Sequence, residues 1–162
     1  MSKVTFVVVL LLLVGFACSS KKAEKAESTV KQVNEYPDIE LTLRDGGKLS
    51  TKTLEGNNVF VFFQPDCEHC QVEAVHIEQR LQDFKDYKLY FISSSSMDAI
   101  NGFAESFDLD DRENVTFAWA STESVLDHYG PIQTPSVYIY SHGKLKRYFN
   151  GQTEIESIVN SL

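Results

Sequence analysis

Hydrophobic positions along the chain fall into two rhythms, and the way they alternate predicts the order of elements. Ile39, Leu41 and Leu43 alternate with Asp38, Glu40 and Thr42, the period of a half-buried strand. Asp45-Gly46-Gly47 turns the chain and Lys48-Leu49-Ser50 returns, so the opening reads as a hairpin. Residues 59–63 (VFVFF) are a buried strand, ended by Gln64-Pro65-Asp66. Cys70, Ala74, Ile77, Leu81 and Phe84 then recur every three or four residues, which predicts a helix over 67–84 with one apolar stripe. Residues 88–93 are the next strand, 94–96 a loop and cap, and 97–107 a helix with Ile100, Phe103, Ala104 and Phe107 inward. An acidic loop (108–113) precedes a short apolar stretch (115–120), a short helix (123–129) and a connector (130–134). Pro135 leads into a strand at 136–140, and His142-Gly143 turns it into a partner at 144–149. Thr153-Glu154-Ile155-Glu156 has the form of a capping box opening a last helix, with Ile155, Ile158, Val159 and Leu162 on it. Strands alternating with helices, then a closing hairpin, predict one α/β layered domain over 36–162.

The segment before residue 36 does not share this pattern. Lys3 precedes an apolar run over 4–16, broken only by Thr5 and Gly15, which is too short for a comfortable membrane span and has the layout of a signal peptide. Val14-Gly15-Phe16-Ala17-Cys18 resembles a bacterial lipobox, in which the cysteine is lipidated and becomes the mature N-terminus. Gly15 stands where most lipoboxes carry Leu, and a short anchor that stays in place is the alternative. The expected division is a lipoprotein signal peptide over 1–17 and a lipidated tether over 18–35. The tether is polar and free of aromatics, which suits a flexible spacer.

Cysteine count and charge narrow the chemistry. The 162 residues include three cysteines, and assigning Cys18 to lipid leaves Cys67 and Cys70 as one pair. The formal charge is −8, and loss of Lys3 with the leader makes the mature chain more acidic still. Such a chain has no electrostatic case for nucleic acid, and its membrane attachment comes from lipid rather than a basic surface.

Cys67-Glu68-His69-Cys70 sits at a strand-to-helix junction. The three-residue offset lets the sulfurs bond, and the unpaired N–H groups of a helix N-terminus favour a thiolate. Cys67 is expected to be the exposed nucleophile that attacks a substrate disulfide, and Cys70 the thiol that releases it. No cofactor is expected beyond the Cys67–Cys70 disulfide. The alternative is a structural or metal-binding pair. Zinc usually takes four protein ligands and there is no second Cys pair, so no metal site is expected. As imidazolium, His69 favours the Cys67 thiolate, whereas Glu68 and Asp66 oppose it, which leaves the net redox tuning open. A plain exposed spacer is the alternative for His69. His76, His128 and His142 read as surface residues, and Phe117, Trp119, Tyr138 and Tyr140 as core or sheet surface.

The element order, the Cys-x-x-Cys opening the first long helix, and Thr134-Pro135 before the final hairpin resemble the thioredoxin superfamily. Within it, the chain is most similar to the membrane-tethered TlpA/ResA-like thiol–disulfide oxidoreductases. The early hairpin, the helix-plus-strand insert over 97–120 and the closing GKLKRYFNGQT segment carry that likeness. The resemblance implies a thioredoxin-like fold, with a central mixed sheet flanked by helices, an N-terminal hairpin and a central insert. It implies a cis-proline at Pro135 facing the cysteines, Thr134 offering backbone hydrogen bonds to an extended substrate, and Glu73 moving a proton at Cys70. It also implies a monomer that reduces protein disulfides outside the cytoplasm, on the periplasmic side or the outer membrane, as in apocytochrome maturation, with electrons from a membrane donor. Three positions depart from the family pattern. Asp66 replaces the usual Trp, His69 the usual Pro, and Val61 the buried acid of thioredoxins proper.

Two other functions belong to related folds. A peroxiredoxin using Cys67 needs proline seven residues upstream and threonine three upstream, where this chain has Phe60 and Gln64. A copper-binding assembly factor uses Cys-x-x-x-Cys with a distant His. Here two residues separate the cysteines, although His69 or His128 could contribute.

Overall fold

The computed structural model describes residues 35–162. Cys18, the leader over 1–17 and the tether up to residue 34 lie outside the described residues. The strands are β1 (Glu40–Leu43), β2 (Lys48–Ser50), β3 (Asn57–Phe62), β4 (Lys88–Ser93), β5 (Val115–Trp119), β6 (Ser136–Ser141) and β7 (Lys144–Asn150). The helices are α1 (Glu68–Gln79), α2 (Met97–Ser106), α3 (Thr122–Tyr129) and α4 (Ile155–Val159).

Among the described residues the strands form one mixed sheet in the order β2-β1-β5-β4-β3-β6-β7. β3, β4 and β5 run parallel, with Val61 opposite Phe91 and Phe91 opposite Phe117. Parallel neighbours need crossover connections, which α1 and α2 supply. The closing hairpin is antiparallel, with β6 beside β3 and β7 at the edge. Its turn places His142 at φ 50 and Gly143 at φ 82, the paired positive angles of a tight two-residue hairpin. The early hairpin extends the other side, with Thr42 opposite Trp119 on β5.

β3 is covered on both faces. Val59, Val61 and Phe63 pack with Ala74 and Ile77 of α1, Phe103 of α2 and Ile158 of α4. Phe60 and Phe62 pack on the opposite face with Val125 and Tyr129 of α3 and with Tyr138 and Tyr140. Phe63 and Phe103 rings lie 4.4 Å apart, and Phe62 and Tyr129 rings 4.9 Å apart. Each such buried side chain contributes roughly 1.5–3 kcal/mol, so the strand that delivers the cysteines is anchored from both sides.

Two local expectations are corrected. The helix expected over 67–84 starts at Glu68, with Cys67 as its N-cap, and stops at Gln79. Arg80 leaves helical geometry at φ −118, and Leu81–Phe84 forms a separate 3-10 turn. A stripe spaced by threes and fours is met equally by a helix followed by a tighter turn, and this turn buries Phe84 completely. The capping box at Thr153 does not form. Glu154 is the N-cap of α4 and makes no side-chain capping bond, while Glu156 pairs with Arg80 at 2.8 Å. The Thr153 N–H that a capping box would satisfy is donated elsewhere, to Glu73.

Candidate active site

The turn after β3 is fixed before any cysteine is reached. Phe63 N–H donates to Ile92 O at 3.1 Å, carrying the ladder one residue beyond β3. Ser95 Oγ donates to Gln64 Oε1 at 2.6 Å, and Gln71 Nε2 donates back to Pro65 O at 2.9 Å. Cys67 N–H donates to Gln64 O at 3.1 Å, which closes the turn and sets Cys67 at the head of α1.

Cys67 has extended backbone (φ −87, ψ 112), and its Sγ accepts the Cys70 N–H at 3.3 Å. A Ser or Asp oxygen usually fills that N-cap role; here a sulfur receives the N–H of the helix end. The same sulfur lies 3.6 Å from Thr134 O, to which the thiol donates. Both cysteines are free thiols. Cys67 is half-buried, whereas Cys70 is 2% exposed, so Cys67 is the more accessible of the two sulfurs. Burial pushes the Cys70 thiol up to about 12. The hydrogen bond and charge of Cys67 add to this, while the Gln64 backbone and Thr134 oppose it.

Glu73 lies one turn beyond Cys70 on the same helix and is 1% exposed. Burial raises its carboxyl to about 7, against the Thr153 N–H bond and with some help from Glu154. Oε2 accepts the Thr153 N–H at 3.2 Å, and Oε1 is buried without a hydrogen-bond partner. Glu68 and His69 are both exposed. His69 Nδ1 lies 2.5 Å from Gln152 Oε1. The Thr134–Pro135 peptide is cis, and Pro135 O accepts the Gly151 N–H at 2.8 Å. The fold thus brings Cys67, Cys70, Glu73, His69, Thr134 and Pro135 to one end of β3. His76 and His128 are half-buried rather than on the surface, and His142 is exposed in its hairpin turn.

Sequence reasoning gave the Asn150-Gly151-Gln152-Thr153 segment no role in the site, although GKLKRYFNGQT, which ends in it, carried the family likeness. Its contacts with residues 69 and 73 span 83 and 80 positions of chain, and nothing local in the sequence announces them. A cavity of about 140 Å³ opens beside Gln64 and Thr134, with Leu126 at its rim, 45% exposed. A larger cavity of about 570 Å³ lies at the other end of β3 and β4, by Asn57 and Lys88, away from both cysteines. Among the described residues, no three His, Cys, Asp or Glu side chains are grouped so as to hold a metal ion.

Solved structures share the fold. A secreted Mycobacterium tuberculosis disulfide oxidoreductase homologous to E. coli DsbE superposes with a TM-score of 0.66 at 16% identity, covering 76% of this chain and 93% of its own. A peroxiredoxin-like protein from Aquifex aeolicus gives 0.65 at 16% identity, covering 81% and 85%. ScoI of Arabidopsis thaliana, solved with copper bound, gives 0.62 at 14%, covering 80% and 94%. At these identities the likeness establishes the thioredoxin-like fold, and one fold carries all three chemistries. No curated protein matches the sequence at a significant level. The profile of the AhpC/TSA family, by contrast, matches residues 33–148, which take in every strand but the last two residues of β7 and both cysteines. The chain is a member of the AhpC/TSA family, built on a thioredoxin-like sheet.

Proposed function

We propose that the protein is a thiol–disulfide oxidoreductase of the TlpA/ResA-like kind, held outside the cytoplasm by a lipid on Cys18 and acting as a reductase of protein disulfides. One observation carries this reading: an accessible sulfur caps α1 while its partner three residues on is buried. The accessible sulfur suits the first attack and the buried one the intramolecular second. In the first step the Cys67 thiolate attacks one sulfur of a substrate disulfide. The Cys67–substrate bond forms, the substrate S–S bond breaks, and one substrate thiolate leaves. In the second, Cys70 gives up its proton and attacks Cys67 Sγ. The mixed disulfide breaks and the second substrate thiolate leaves. Two electrons pass to the substrate, and a Cys67–Cys70 disulfide remains for a membrane donor to reduce.

The second step needs a base, because burial, the largest cause of the raised Cys70 thiol, persists when Cys67 is tied up in the mixed disulfide and holds the thiol protonated near neutrality. Glu73, with its carboxyl near 7 and a free Oε1, is the acid–base group one turn away. Thr134 and the cis-Pro135 offer backbone to an extended substrate, and the cavity past Thr134 gives a neighbouring side chain somewhere to sit.

The cysteine pair also weighs against a one-cysteine peroxidase. Gln64, where that chemistry wants threonine, is engaged by Ser95, and Phe60 sits in the middle of β3 with no exposure. The test is trapping. Mixed with a protein disulfide, Cys70→Ser should accumulate a covalent mixed disulfide through Cys67, and Cys67→Ser should accumulate none. Equal trapping by both variants would reverse or remove the assigned roles.

A further inference from the structure

The segment Asn150-Gly151-Gln152-Thr153, running from the last residue of β7 toward α4, contacts the cis-proline, Glu73 and His69. Asn150 Oδ1 accepts the Gln133 N–H at 2.9 Å and Ser136 Oγ–H at 3.0 Å. Gly151 N–H donates to Pro135 O, and Thr153 N–H to Glu73. Gln152, between them, reaches the ring of His69. Gly151 sits at φ +96, which favours glycine, and a Cβ there would come within 3.4 Å of Gln133 Oε1. The segment is thus pinned on both sides of Gln152, and the contact to His69 springs from a fixed base.

We propose that Gln152 is a positioning residue that holds the His69 imidazole and thereby sets the reactivity of Cys67, two residues before it. This rests on the oxidoreductase reading above. A carbonyl oxygen can only accept, so Nδ1 carries the proton of the Gln152 bond. The doubly protonated ring keeps that bond and strengthens it by its charge. When the ring is charged, the bond to Gln152 keeps that cation on the turn that carries Cys67, where it favours a thiolate against Glu68 and Asp66. Stabilising the thiolate stabilises the reduced pair and makes the disulfide more oxidising.

The test is a double-substitution cycle in the intact protein: wild type, Gln152→Leu, His69→Ala and both together, each equilibrated with glutathione. Gln152→Leu is expected to shift the equilibrium roughly twofold to fivefold toward the protein disulfide, the worth of one exposed hydrogen bond. That is about 10–20 mV more reducing, at ~30 mV per tenfold. In the His69→Ala background Gln152→Leu should not move it. The rate of Cys67 alkylation by iodoacetamide, followed by mass spectrometry, reads the same coupling without any disulfide closing. It should fall with Gln152→Leu only when His69 is present. No change in either readout, or the same change with and without His69, overturns the proposal. If the wild-type pair closes no disulfide at all, the oxidoreductase reading fails, and the alkylation arm still decides the Gln152–His69 coupling.

Discussion

Glu73 Oε2 accepts the backbone N–H of Thr153 across 80 residues of chain, joining the middle of α1 to the entrance of α4. The bond does two things at once. It satisfies the donor that Glu156 would have taken in a capping box, which leaves Glu156 free for Arg80. It also holds a buried carboxyl one turn from Cys70 with its other oxygen unengaged.

Glu73→Gln separates these roles, because the amide oxygen can still accept from Thr153 but cannot take a proton. Formation of the mixed disulfide through Cys67 is expected at the wild-type rate. Its resolution by Cys70 should slow by about 10²-fold, the lower end for loss of a general base. Rapid-quench kinetics with a protein disulfide resolve the two steps. Equal slowing of both would mean that Glu73 acts on the fold rather than on the proton.

The same carboxyl makes stability depend on pH. Its folded value, about 7, lies above the ordinary 4.5. Between these values the folded chain binds a proton that the unfolded chain does not, so stability falls as pH rises through this window. Below about 4.5 this group exacts no penalty, and above 7 the buried charge costs roughly 3 kcal/mol. Urea midpoints measured from pH 4.5 to 8 should decline for the wild type from this cause, and Glu73→Gln should flatten the decline. Parallel curves for the two proteins would contradict the assignment.

Cys67→Ser is expected to abolish disulfide exchange without loss of stability. Serine is a preferred N-cap, and its oxygen can accept the Cys70 N–H in place of sulfur. Thermal unfolding should give a midpoint equal to or above that of the reduced wild type. A marked drop would show that the sulfur matters to the fold as well as to the chemistry.

Much of this architecture is legible in the sequence because its signals are local. Alternation at Val137 and Ile139, the uniformly apolar 59–63 and the turn at His142-Gly143 each announce their element, and Cys67 falls at a helix head as its spacing implies. Where local rules compete, the sequence is silent. Thr153 to Glu156 satisfies the pattern of a capping box, yet a carboxylate 80 residues away claims the donor. The split at Arg80 is hidden for a similar reason, since its guanidinium is held by Asp83 and by the distant Glu156. Gln152 is an ordinary polar residue until β7 carries it to His69.

The aromatic layer behind β3 offers a test unrelated to redox chemistry. The Tyr138 hydroxyl is buried with no hydrogen-bond partner, and burial raises it to about 12. Tyr140 and Tyr129 share a hydroxyl–hydroxyl contact at 3.2 Å. Tyr138→Phe removes an unpaired polar group and should be neutral or stabilising by up to about 1 kcal/mol. Tyr140→Phe leaves the Tyr129 hydroxyl alone in the core and should cost about 1–3 kcal/mol. Chemical denaturation of the two variants checks the contrast, and the reverse order would contradict it.

The most direct test of the central claim is the reduction potential of the Cys67–Cys70 pair, measured by thiol tagging of the intact protein across a series of thiol–disulfide buffers. The expected result is a single two-electron transition that yields an intramolecular Cys67–Cys70 disulfide, with a potential near that of thioredoxin, about −270 mV. A value near −120 mV would contradict the reductase role and make the protein an oxidant. Absence of any intramolecular disulfide across the whole series would contradict the oxidoreductase function itself.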